Sequence, residues 1–234
     1  MAPFPPKRLT ATILETLRLS DEISWFRLGL SQPIGFTPGQ YVSLRFPGEL
    51  RYHAFSIASS AAKKQEIELV VKKEHDFTTR MLASPPGTMF ELLGPMGRFM
   101  ENPEGDVVMI AGGVGVTPFL SAVRTARDGE DRRSRWWLFY SCRTRSDIVA
   151  EEELRKLHGL NDHIHIVFTL TRETPANWDG ELGHVGKAML EKHLGRLDGK
   201  TFYTCGPGRL IGAMTTMLKE TGVPAERILT ESWG

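Results

Sequence analysis

Asp106-Val107-Val108-Met109-Ile110-Ala111-Gly112-Gly113-Val114-Gly115-Val116-Thr117-Pro118 runs from an almost unbroken apolar segment into a glycine-rich turn. Asp106–Ala111 lacks polar/apolar alternation, so it reads as a strand covered on both faces, the kind that parallel sheets contain. Pro118 suits the first turn of a helix, where its missing N–H has no partner to lose. Pro118–Asp128 reads as that helix. Glycines let backbone approach a ligand closely, and a helix N-terminus offers free N–H groups and positive dipole to a pyrophosphate. A tight turn and a dinucleotide-phosphate loop both fit these residues; the strand–turn–helix setting favours the second. The spacing departs from G-x-G-x-x-G, because Pro118 stands where the third glycine belongs.

Downstream the same rhythm repeats. Arg135–Ser141, His163–Leu170, Lys200–Cys205 and Arg227–Glu231 read as strands, and Ile148–His158, Val185–Leu194 and Leu210–Thr221 as helices. Strands alternating with helices imply βαβ units, hence a five-stranded parallel sheet flanked by helices. Upstream the pattern is different. Thr10–Leu19, Ser24–Leu30, Tyr41–Phe46, Phe55–Ile57, Glu66–Lys72 and Met89–Leu93 are short strand-like runs separated by turn residues such as Gln32-Pro33-Ile34-Gly35 and Thr37-Pro38-Gly39-Gln40. Asp76–Ser84 reads as one or two helical turns. Many short strands with regular turns suggest a sandwich or a barrel. The expected fold is two-domain, β followed by α/β, with an antiparallel Greek-key barrel over residues 1–101 and an α/β domain over 102–234.

Composition excludes several classes. Lys plus Arg is 29 against 28 Asp plus Glu, a net charge of +1, so no basic excess points to nucleic acid or acidic membranes. Two cysteines, Cys142 and Cys205, supply neither a disulfide scaffold nor the four thiolates of an iron–sulfur cluster. No apolar run reaches the roughly 18 residues of a membrane span. Met1–Arg8 lacks the apolar core of a signal peptide. The expectation is a soluble, reduced, cytoplasmic monomer. His163 and His165 lie close together as a metal pair would, but no third ligand is placed near them, so no metal is expected. Gly180–Lys187 half resembles a P-loop; its glycine spacing is one too long, and Ala188 stands where magnesium needs Ser or Thr.

Three further segments carry polar chemistry beside turns. Arg51-Tyr52-His53-Ala54-Phe55-Ser56-Ile57-Ala58-Ser59-Ser60 crowds bases, aromatics and hydroxyls together. Gly94-Pro95-Met96-Gly97-Arg98-Phe99 is a turn before the domain boundary. Tyr203-Thr204-Cys205-Gly206-Pro207-Gly208 sits at the C-terminal end of a strand, where open α/β sheets bind ligands. Each alone fits an ordinary turn or a buried structural cysteine as well as a site. In chain order, with Gly112–Pro118 and the terminal Glu231-Ser232-Trp233, they resemble the ferredoxin–NADP reductase superfamily over nearly the whole chain. Arg51–Ser60 is similar to its flavin motif, Gly94–Phe99 to its Gly-Pro-x-Gly-x-Phe, Gly112–Pro118 to its Gly-Gly-x-Gly-x-x-Pro loop, and Cys205-Gly206-Pro207 to its Cys-Gly-Pro. His53 stands at the family's usual Arg, and Phe55 at its Tyr. His53-Ala54-Phe55-Ser56 is closer to the ferric reductase and NADPH oxidase branch, as is Phe77-Thr78-Thr79-Arg80.

The resemblance implies an FAD-containing NAD(P)H oxidoreductase. Such an enzyme moves a hydride from NADPH or NADH to FAD, then passes single electrons to a small redox protein, a ferric complex or another small oxidant. It places Ser56 beside flavin N5, Cys205 against the nicotinamide, Glu231 close by, and Trp233 stacked on the flavin. It implies flavin contacts at His53, Phe55, Ile57 and the backbone of Val70 and Lys72. Thr78 or Thr79, with Gly97, would meet the phosphates, and Arg51 or Arg80 would neutralise them. Gly113, Gly115, Thr117 and Gly206 would line the nicotinamide nucleotide, with Ser141, Arg143 and Arg172 at its adenosine end. The competing expectation is a flavin-binding accessory subunit without turnover of its own.

Overall fold

The computed structural model describes residues 4–101, 103, 105–129, 134–160 and 162–232. The chain forms two compact units, one of residues up to 101 together with 117–128, the other of 102–116 together with 129 onward. The linear division expected at 101/102 is therefore crossed by one helix.

In the first unit β1 (Lys7–Arg18), β2 (Ile23–Leu30), β3 (Tyr41–Arg45), β4 (His53–Ser56) and β5 (Glu66–Lys72) precede α1 (Asp76–Leu82) and β6 (Met89–Met96). All pairings are antiparallel, in the order β4-β3-β6-β1-β2-β5. β2 shows why: Phe26, Leu28 and Leu30 are buried and alternate with half-buried Trp25, Arg27 and Gly29, the period-2 signature of a strand with one face on a core. That core includes Ile13, Phe26, Leu28, Val42, Leu44, Ile67, Leu69 and Phe90. Just past β4, Ala58 N–H donates to Glu68 O of β5 at 2.7 Å. This bond draws the two edges of the sheet together into a near-barrel.

The second unit holds a parallel sheet. β7 (Asp106–Gly112) leads through a 3-10 turn, Gly113–Val116, into α2 (Thr117–Asp128), which belongs to the first unit. Then follow β8 (Trp136–Cys142), α3 (Glu151–Leu160), β9 (Ile164–Leu170), β10 (Glu181–Leu182), α4 (Lys187–Leu194), β11 (Lys200–Gly206), α5 (Gly208–Glu220) and β12 (Ile228–Ser232). The strand order is β10-β9-β8-β7-β11-β12, with every pair parallel. The two-residue β10 at one edge is a sixth strand beside the five expected. Strand order reverses at β7, so the C-terminal ends of β7 and β11 flank the topological switch point where such sheets bind ligands. No helix among the described residues is long and apolar enough to cross a membrane.

Candidate functional site

The flavin motif occupies the end of an edge strand. β4 pairs with β3 so that Ser56 faces Tyr41 and Phe55 faces Val42. Ser56 is buried, yet its hydroxyl hydrogen-bonds to no described residue, so it is available to a ligand. Ile57 is fixed by its N–H to Gln40 O at 3.0 Å. His53 stacks on Phe77, 4.3 Å between ring centroids and 15° between planes, and lies 4.8 Å from His75. Phe55 packs on the same Phe77 ring at 5.9 Å. Burial, then the neighbouring His75 and Arg51, pushes the His53 pKa down, so this imidazole is neutral at pH 7. His53 thus contributes an aromatic tier here, whereas an arginine would contribute charge.

The phosphate candidates separate. Thr78 Oγ1 accepts the N–H groups of Glu74 (2.9 Å) and His75 (3.1 Å) and donates to His75 O (2.9 Å). That hydroxyl caps α1, and the exposed Thr79 hydroxyl is the freer one. Arg80 is engaged by Glu49 at 2.6 Å and Asp76 at 3.4 Å, over the Phe46 ring. Arg51 is exposed and ion-paired to no described residue. Gly97 has a φ of +91°, which favours glycine, and a Cβ there would lie 3.0 Å from the Tyr41 ring. Along β5, Glu68 points its backbone outward to Ala58 while Lys73 N–H turns back to Glu22. By the antiparallel alternation, Val70 and Lys72 present their N–H and C=O on that same outer edge.

The nucleotide motifs converge at the switch point. A Cβ on Gly115 would lie 2.4 Å from Cys205 O, and one on Gly206 (φ +151°) 3.0 Å from Gly112 N. These glycines exist because the two turns abut. Gly113 differs: its φ is +55° and nothing lies within 4 Å of its Cβ position. It is the residue of the turn with open space before it. Cys205 pairs in register with Glu231, and Gly206 with Ser232. The structure therefore sets these two residues opposite one another on neighbouring strands. Thr117 begins α2 and is buried.

At the far ends of β8 and β9, Arg172 N–H donates to Arg143 O at 3.0 Å. Both arginines are exposed and form no ion pair with a described residue, and Ser141 lies two residues before Arg143. Cys142 is separate: burial pushes its thiol up to about 12, so it stays protonated and inert. His165 stacks on Trp137 at 5.2 Å, and Ile166 N–H donates to His158 Nδ1 at 3.1 Å. Trp233 lies outside the described residues. What the sequence did not announce is the set of bonds that joins α2 to residues 58–61, although its polar residues recur at helical spacing.

Residues 10–100 match the oxidoreductase FAD-binding domain family, and residues 109–216 the oxidoreductase NAD-binding domain family. The phenol hydroxylase P5 protein of Acinetobacter pittii is 29% identical over 96% of this chain and 66% of its own length. The phenol 2-monooxygenase reductase component DmpP of a Pseudomonas species is 31% identical over 86% of this chain and 59% of its own. The chain thus spans two thirds or less of these two relatives. The Amycolatopsis cytochrome P450 reductase GcoB superposes with a TM-score of 0.86 at 26% identity, covering 98% of this chain and 70% of that one. The cytochrome b5 reductase domain of Ulva prolifera nitrate reductase shares the fold over 97% of both chains, with a TM-score of 0.84 at 23% identity. With both family models matched in chain order over most of its length, the chain belongs to the ferredoxin–NADP reductase superfamily, with an FAD-binding and an NAD-binding domain of the oxidoreductase families.

Proposed function

We propose that this protein is the reductase of an electron-transfer pair: it takes a hydride from NAD(P)H and delivers single electrons to a separate redox protein. The observation that carries this reading is the register of Cys205 and Glu231 beside the Gly112–Val116 turn, with a buried Ser56 hydroxyl that hydrogen-bonds to no described residue in the motif that resembles the flavin motif. Relatives named as reductase components of a phenol 2-monooxygenase and of a naphthalene 1,2-dioxygenase system support an oxygenase component or its ferredoxin as acceptor.

The residues fit the two cofactors. FAD, when bound, supplies the step from two-electron to one-electron chemistry. Ser56 would hold a hydrogen bond at the reacting edge of the flavin, donating or accepting as the redox state requires. The Val70 and Lys72 backbone, on a free strand edge, would pair with the polar edge of the ring. Arg51 and Thr79 would meet the phosphates. Gly113 leaves room for the nicotinamide nucleotide's pyrophosphate at the start of α2. Cys205 and Glu231 would orient the nicotinamide, and Trp233 would cover the flavin face between turnovers. Arg143 and Arg172, side by side, would hold a 2′-phosphate, since guanidinium binds phosphate through two parallel N–H groups.

The test is turnover. The FAD-loaded protein with NADH or NADPH should reduce ferricyanide and at least one ferredoxin, flavodoxin or haem protein catalytically. If no acceptor turns over, the accessory-subunit reading stands instead.

A further inference from the structure

α2 carries a polar stripe that is buried at Ser121, nearly so at the Arg124 side chain, and reaches the surface only at Asp128. Ser121, Arg124, Thr125 and Asp128 recur at i, i+3, i+4 and i+7, and so share one face. The Arg124 side chain is only 11% exposed and its partner Glu68 only 9%. Ser121 Oγ donates to Ser59 O at 2.8 Å. Arg124 Nη1 donates to Ala58 O and to Glu68 Oε2, each at 2.8 Å. Ala61 N–H donates to Thr125 Oγ1 at 2.9 Å. The Asp128 carboxylate is held by Arg127 and by the Ser60 hydroxyl. Glu68 is itself braced by Lys63 Nζ at 2.7 Å and Trp25 Nε1 at 3.2 Å. Residues 58–61 are thus stitched to β5 on one side and to α2 on the other, two residues beyond Ser56.

We propose that Arg124 and Glu68 are positioning residues for hydride transfer: their buried pair pins α2, which begins at Thr117, to the strand end that carries Ser56. The inference rests on the reductase reading above. Its physical basis is the steep dependence of such a step on alignment, where a displacement of about 1 Å costs on the order of a hundredfold in rate. A buried pair suits that task. Separating it strands a charge away from water, so partly open arrangements are strongly disfavoured. A ring of surface contacts would let α2 drift; this stripe does not.

Glu68→Gln, Arg124→Lys and Thr125→Val separate the possibilities. FAD-loaded protein is mixed anaerobically with a series of concentrations of NADH or NADPH, whichever reduces the wild type, giving a limiting rate of flavin reduction and an apparent nucleotide affinity. In Glu68→Gln the limiting rate should fall about tenfold or more, with the affinity changed less than about twofold. Arg124→Lys keeps the cation and should recover part of the rate. A second reading uses flavin-free protein. Exchange of the Ala61 amide with deuterium should rise about tenfold in Glu68→Gln and in Thr125→Val, because α2 no longer holds it. If exchange rises and the limiting rate stays at the wild-type value, α2 is fastened there without positioning anything, and the proposal is overturned. A loss seen wholly as weaker nucleotide affinity overturns it too. If Glu68→Gln does not fold, Thr125→Val alone decides, with a rate loss of about threefold expected and none counting against. Should the wild type be reduced by neither NADH nor NADPH, the reductase reading fails, while the exchange data still report whether the stripe holds α2.

Discussion

Gly113 and Gly115 stand two apart in one turn and are glycines for different reasons. At Gly115 a Cβ would press to 2.4 Å on the Cys205 carbonyl, which is backbone and cannot swing away. At Gly113 the space is open and only the left-handed φ of +55° resists a side chain. Gly115→Ala should therefore cost about 2–3 kcal/mol by forcing two turns apart, and Gly113→Ala about 1 kcal/mol from strain alone; denaturant midpoints of the two variants test the order. Ser56→Ala should leave FAD bound, since a barrel edge and several backbone groups remain. It should slow flavin reduction by severalfold to about a hundredfold, the range for one oriented hydrogen bond at a reacting centre. Unchanged stopped-flow traces would make Ser56 an ordinary strand hydroxyl. Arg143 and Arg172 offer the third test. Replacing both with alanine should raise KM for NADPH by about tenfold or more and leave KM for NADH nearly unchanged, because only NADPH carries the 2′-phosphate.

Among the elements, α2 is the one whose environment its sequence hides. Its Pro118 and the turn before it are legible as a strand-to-helix junction, and its buried Phe119, Leu120 and Val123 as a core face. Arg124 by its spacing alone fits a solvated face, since charge at helical spacing ordinarily is one. What reverses that reading is Glu68, 56 positions away, a separation that no local pattern conveys. The pair has a pH signature. Burial alone would raise the Glu68 carboxyl, but Arg124 and Lys63 outweigh it and hold its pKa below the ordinary value of 4.5. A depressed carboxylate contributes stability that is present above its unfolded pKa and lost as pH falls through the folded one. Glu68→Gln should therefore be about 3 kcal/mol less stable than wild type at pH 7. The difference should shrink as the pH drops below about 4.5, as urea unfolding at a series of pH values would show. A gap that stayed constant down to acid pH would assign the loss to packing.

For the molecule, the strand types and their rhythm were readable because burial leaves a period in the sequence: two in β2, none in β7 and β11, which are covered on both faces. Pairing partners were not. The adjacency of Cys205 and Glu231 depends on register between β11 and β12, and the abutment of Gly206 on Gly112 on register between β11 and β7. The motif resemblance supplied those residues as a set; the sheet explains why they form one. Likewise no local pattern conveys the partners of Thr78 and Arg80, a helix cap and Glu49. The central claim, that both halves serve one hydride transfer, is tested most directly by anaerobic titration of the FAD-loaded protein with NADH or NADPH. Stoichiometric bleaching of the yellow flavin by at least one of the two nucleotides, without any partner protein, is the predicted result. A protein that holds no FAD, or one that binds it and stays yellow with both nucleotides in excess, would contradict the account.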